Sequence, residues 1–115
     1  DFRIFSDGAT RRILADRPDF FYVEGEVILY AYNRMFNVWY KGKEYTLENY
    51  TPKDFQTGPE GVAWLDESGR LKYFDKGNIF TVSYEVINSY DLTGTVLKYE
   101  SGNNTVNFFF KGKNH

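Results

Sequence analysis

Two stretches decide the fold: Phe36-Asn37-Val38-Trp39-Tyr40-Lys41-Gly42 and Leu71-Lys72-Tyr73-Phe74-Asp75-Lys76-Gly77. Each is a short run of bulky residues closed by Lys-Gly. Outward from them the same phrase recurs from Phe2 to Gly8 and from Val106 to Gly112. Gly8, Gly42, Gly77 and Gly112 stand 34, 35 and 35 residues apart, and a fixed period of this kind marks one supersecondary unit repeated along the chain. Reading forward aligns Ile13, Leu47 and Val82, then Phe21, Phe55 and Tyr90, then Ile28, Val62 and Leu97, then Tyr30, Trp64 and Tyr99, without a gap. The length change falls at Asn33-Arg34-Met35, opposite Asp66 to Arg70 and Ser101 to Thr105, in a turn, where such changes are tolerated.

Each period divides into four short strands, expected in the second copy at about 36–41, 44–48, 54–57 and 62–65. The Lys-Gly step is a hairpin signal, because glycine supplies the positive φ that a tight hairpin turn requires. Pro18 and Pro52 share one phase in the longer connection, where a missing amide donor is harmless, and Ile87 stands there in the third copy. Apolar residues come in short clusters rather than at a helical period, so no helix is expected. The strand before each Gly carries bulk on both faces: Ile4, Val38, Tyr73 and Phe108 on one, Phe5, Trp39, Phe74 and Phe109 on the other. Such a strand belongs between two layers. The expected fold is therefore all-β, built of tandem four-stranded antiparallel repeats stacked as in a partial β-propeller, with a β-solenoid or a single-layer meander as alternatives. Residues 1–115 read as a single repeat array, and the expectation is that they are part of a longer protein.

Composition narrows the chemistry. Aromatic residues make up 20% of the chain, which suits strands, and the net charge of −2 gives no basis for general binding to nucleic acid or an anionic membrane. No apolar run is long enough to span a bilayer, so any membrane association is expected to be peripheral. Cysteine is absent and the one histidine is His115, which leaves no thiolate or well-held imidazole for a nucleophilic triad or a zinc site. The expectation is a non-enzyme without catalytic, cofactor or metal residues.

The remaining candidates have bland readings beside sharp ones. Asp66-Glu67 reads as solvated turn residues before it reads as an acid pair, and Asp16 to Asp19 reads as a charged connection. Gly58-Pro59-Glu60-Gly61 lacks the Gly-Lys-Ser/Thr ending of a phosphate loop and reads as a strand-to-strand turn. Lys41, Lys76 and Lys111 share one phase and form either a basic row or ordinary edge protection. Tyr30, Trp64 and Tyr99 are the possible ligand-contact aromatics, because rings repeated once per unit can stack on sugars. Tyr40 and Phe110 form a second such set. Aromatics in phase with Val and Leu are more often core.

The unit from Val38 to Pro52, with Val-Ala-Trp-Leu-Asp at 62–66, resembles tandem short-blade β-propeller-type repeats in exported envelope proteins of gliding Gram-negative bacteria. The likeness is one of pattern over nearly the whole chain, and within that group it extends to the plug subunit of the type IX secretion translocon. It implies a periplasmic or cell-envelope location and a protein partner in an envelope complex. Two functions follow as expectations: a non-enzymatic scaffold for protein–protein interaction, plugging or docking onto a secretion translocon, or a carbohydrate-binding repeat lectin.

Overall fold

The computed structural model of the chain describes residues 2–6, 9–14, 20–32 and 34–114, with side chains from Tyr22 onward. These residues form fourteen β-strands and no helix. Strands β1 (Phe2–Ser6) and β2 (Ala9–Leu14) pair with each other, and three four-stranded antiparallel sheets follow. The first holds β3 (Phe20–Glu24), β4 (Val27–Tyr32), β5 (Met35–Tyr40) and β6 (Lys43–Glu48). The second holds β7 (Phe55–Thr57), β8 (Gly61–Leu65), β9 (Leu71–Asp75) and β10 (Asn78–Ser83). The third holds β11 (Ile87–Thr93), β12 (Val96–Ser101), β13 (Val106–Phe110) and β14 (Lys113–Asn114). Neighbours within each sheet are neighbours in sequence, so each is a simple up-and-down meander.

The sheet boundary falls inside the sequence period rather than at its start. Strands β5 and β6 close one sheet, and β7 and β8 open the next. Length alone does not decide where the chain steps to a new layer: the connection 49–54, which carries Pro52, and the shorter 84–86 both cross, while the turn 66–70 stays within its sheet.

The layers stack through their side chains. Leu29, Phe36, Val38 and Tyr40 of the first sheet meet Val62, Trp64 and Phe74 of the second in one buried cluster. Alternation along the same strands sends Ala63, Leu71, Tyr73 and Val82 to the opposite face, where they meet Leu97, Tyr99 and Phe109 of the third sheet. Edge-to-face ring pairs hold both seams, Tyr40 with Phe74 and Tyr73 with Phe109, with centroids 5.9 Å apart in each. Separate sheets packed face to face exclude a single-layer meander.

Two positions depart from the two-faced expectation. Trp39 is only partly buried, because its strand turns Val38 rather than Trp39 toward the second sheet. Phe108 is 42% exposed, since it lies on the face of the third sheet that points away from the second.

The repeated glycines mark the turns. Lys41 and Gly42, Lys76 and Gly77, and Lys111 and Gly112 all adopt positive φ, which is the pattern of a type I′ hairpin. A second need is visible at two of them: a Cβ on Gly77 would lie 3.0 Å from the Tyr45 hydroxyl, and one on Gly112 would lie 3.4 Å from the Phe80 ring. The outer strands of the first and second sheets thus each rest an aromatic side chain on the hairpin of the next sheet. Gly8, the first of the repeat anchors, lies outside the described residues.

Candidate interaction surface

Charged side chains meet where the first two sheets adjoin. The connection 49–54 and the β8–β9 turn 66–70 lie side by side, and the backbone N–H of Glu67 donates to the Tyr50 hydroxyl at 2.7 Å. Asp66 organises the turn: its carboxylate accepts from the backbone amides of Ser68 and Arg70 and from Arg70 Nε, each at 2.9 Å. Burial alone would raise the Asp66 pKa, but those two amides and the Arg70 guanidinium hold it below the ordinary carboxylate range. Asp66 is therefore a buried, fully bonded turn residue and not a solvated one, whereas Glu67 beside it is exposed.

Lys72 ties this turn to the neighbouring sheet, with Nζ 3.0 Å from Glu48 Oε2 and 3.5 Å from Asp66 Oδ2. Glu48 also accepts the indole N–H of Trp64 at 2.9 Å. Between the two segments opens a cleft of about 530 Å³, walled by Tyr50, Pro52, Lys53 and Asp54 on one side and Leu65, Asp66 and Glu67 on the other. The next layer boundary carries its own bonds: Gln56 donates to the Tyr90 carbonyl at 3.0 Å and accepts from the Leu92 amide at 2.8 Å, and the Tyr90 hydroxyl donates to Asp54 at 2.8 Å.

The equivalent connection between the second and third sheets, 84–86, is open, with Glu85 between two large exposed side chains. Tyr84 is 76% exposed and Val86 66%, and the Val86 side chain lies 3.6 Å from the Cβ position of Gly69, which lines the cleft. At the repeat interval of 35 residues, Tyr84 and Val86 fall opposite Asn49 and Thr51. Two large apolar residues in a connection lacking proline are the signal that would have found them.

The three aromatics singled out as ligand contacts are all buried. Trp64 is completely enclosed in the seam between the first two sheets, with its N–H on Glu48, and Tyr99 lies in the second seam with its hydroxyl on Asn114 at 2.6 Å. Tyr30 is also enclosed and its hydroxyl donates to Glu44. A sugar ring stacking on Trp64 or Tyr99 would have to displace a neighbouring sheet. Tyr40 is buried too, with its hydroxyl on Glu60 at 3.0 Å. Gly58 to Gly61 forms the β7–β8 turn, as expected, and Asp16 to Asp19 lies outside the described residues. Among the described residues no group of three or more His, Cys, Asp or Glu side chains is placed to hold a metal ion, and no helix is long and apolar enough to cross a membrane.

A repeat of four-stranded meanders, stacked face to face through aromatic seams and joined by loops along one edge, is a β-propeller architecture. A family model described as the 10-bladed beta propeller domain matches residues 1–115, and the chain belongs to that family. No curated protein matches the chain. Domains of this kind serve in general as protein-interaction scaffolds.

Proposed function

We propose that the chain is a non-enzymatic scaffold of the bacterial cell envelope, holding a protein partner on the edge formed by the connections 49–54 and 84–86, in the manner of a subunit docked on or plugging a secretion translocon. The observation that carries this reading is the exposure of Tyr84 and Val86 beside a cleft already rimmed by Tyr50 and Pro52. Exposed aromatic and aliphatic side chains around a concavity are what a partner's anchor residues bury against. The envelope setting rests on the likeness of the 38–66 unit to exported repeats. An array of rigid layers presenting its loops along one edge offers the extended surface that an interface of about 1,000 Å² or more requires.

The test is co-purification from detergent-solubilised envelopes using the native chain and a Tyr84→Ala, Val86→Ala variant. Recovery of a translocon channel component by the native chain, and its loss with the variant at unchanged melting temperature, supports the proposal. Recovery that is indifferent to both residues, or a chain that is consistently solitary, contradicts it.

A further inference from the structure

The Lys-Gly hairpins carry a feature that the interaction edge does not use. Lysine tolerates the left-handed backbone region poorly, and asparagine or glycine is the ordinary occupant of the first central position of a type I′ turn. Yet Lys41, Lys76 and Lys111 stand at φ of 48, 50 and 51° in three equivalent turns. A disfavoured conformation kept by the same residue three times within one molecule points to a use for its charge.

The placement agrees. Tyr45 reaching Gly77 and Phe80 reaching Gly112 show that the three hairpins are successive neighbours along one edge of the stack, so their lysines repeat at the sheet-to-sheet interval of about 10 Å. Lys43 and Lys113 flank the same turns, and all five ammonium-bearing side chains are exposed. Three of them are held above aromatic rings, Lys41 at 5.4 Å from the Tyr40 centroid, Lys43 at 5.1 Å from Tyr45 and Lys111 at 5.2 Å from Phe110. Such ring contacts favour the charged ammonium and orient it. Residues 101–115 contain no Asp or Glu, so the third hairpin has no acid in its own segment. At the first two, Glu26 and Glu60 lie near Lys41 and Asp75 lies near Lys76.

We infer that this edge binds a linear acidic polysaccharide, whose carboxylates or sulfates are spaced along a thread that follows the lysine row. A thread fits the charge layout better than a flat anionic bilayer does. Glu24 at the end of β3, Glu26 in the β3–β4 turn and Glu60 in the β7–β8 turn would all have to be approached by a plane resting on that edge, while a thread can follow the lysines and passes only the acids nearest Lys41 and Lys76. The mode is electrostatic and so weakens with salt.

Asparagine makes the test clean, because Lys41→Asn with Lys111→Asn removes two charges while suiting the turn conformation better than lysine. A control variant, Arg34→Asn with Lys98→Gln, removes the same number of charges away from the hairpins, and Arg34 also stands at positive φ, which asparagine suits. Binding of fluorescein-labelled polygalacturonate is measured by anisotropy at low ionic strength. The native chain is expected to bind, the hairpin variant to bind roughly ten-fold or more weakly with an unchanged or raised melting temperature, and the control to bind like the native chain. Absence of native binding, or equal weakening in both variants, overturns the inference. Tighter binding to duplex DNA or to anionic phosphatidylglycerol vesicles than to the polyuronate overturns the choice of ligand.

Discussion

The second and third sheets are built from the same sequence phase and differ in what covers them. Leu71 and Tyr73 of β9 are buried against the third sheet, while Val106 and Phe108, which occupy the same places in β13, are 50% and 42% exposed. On the adjacent strand Ala63 and Leu65 are replaced in phase by Lys98 and Glu100. One repeat pattern thus yields a two-faced sheet when a neighbour lies on each side and a one-faced sheet when only one does. Burial here belongs to the seam between layers rather than to the strand itself.

The largest consequence concerns side chains in equivalent places. Tyr73→Ala opens a cavity in the seam and should cost about 3–5 kcal/mol, as large-to-small changes of buried aromatics do. Phe108→Ala should cost less than about 1 kcal/mol, in the range of surface substitutions. Thermal unfolding of the two variants checks this, and similar losses would break the comparison.

Backbone proximity gives a second pair. Gly25 and Gly94 both adopt positive φ in the turn between the first and second strands of their sheets, so alanine at either meets a left-handed penalty of about 1–2 kcal/mol. A Cβ on Gly25 would in addition lie 2.4 Å from the Pro59 carbonyl oxygen of the next sheet, whereas one on Gly94 meets nothing within 4 Å. Gly25→Ala should therefore exceed Gly94→Ala by a further 1–3 kcal/mol or so, typical of overpacking. Equal denaturation midpoints would show that the layers are further apart than the structure places them.

A smaller effect separates the sheets by pH. Asp66, lowered below its ordinary value, contributes stability that is present above the unfolded-state pKa and drains away as pH falls through the folded one. Asp75 runs the other way. Burial, opposed by Lys76 and reinforced by Glu60, raises its pKa, and its Oδ1 is buried with no hydrogen-bond partner. Its contribution is complete only below the unfolded-state pKa and is lost as pH rises through the folded value, which makes the charge a liability at neutral pH. Asp66→Asn should lower the melting temperature at pH 7 and flatten its fall toward acid, while Asp75→Asn should raise it slightly at pH 7. Ser101 and Phe110 hold those positions in the third sheet, so Ser101→Ala should shift stability by the same amount at every pH. Melting curves across the acid range decide all three.

How much of this was legible in the sequence follows from which forces are local. The Gly42 and Gly77 spacing revealed the hairpins because turn conformation is set by a few adjacent residues. The grouping of strands into sheets was not legible, since Pro52 and the length of the 49–54 connection permit a step to a new layer without requiring it, and 84–86 makes the same step with neither. Trp39 and Phe108 misled for the same reason: their bulk is written in the chain, but the layer that does or does not cover them is not. Asp66 looked like a solvated turn acid because its partners Ser68, Arg70 and Lys72 assemble around it only when the turn closes. Tyr84 and Val86 gave no periodic signal, being departures from the repeat rather than instances of it.

The seam itself can be measured directly, because the chain has no cysteine and any introduced thiol is a unique probe. Ala63→Cys and Lys98→Cys place that probe at one repeat phase, in the sheet covered on both faces and in the sheet covered on one. Under native conditions the thiol at position 98 should react with Ellman's reagent at the rate of a free thiol, and the one at 63 should react only as fast as the protein opens. Comparable fast labelling at both positions would contradict the stacked-sheet account.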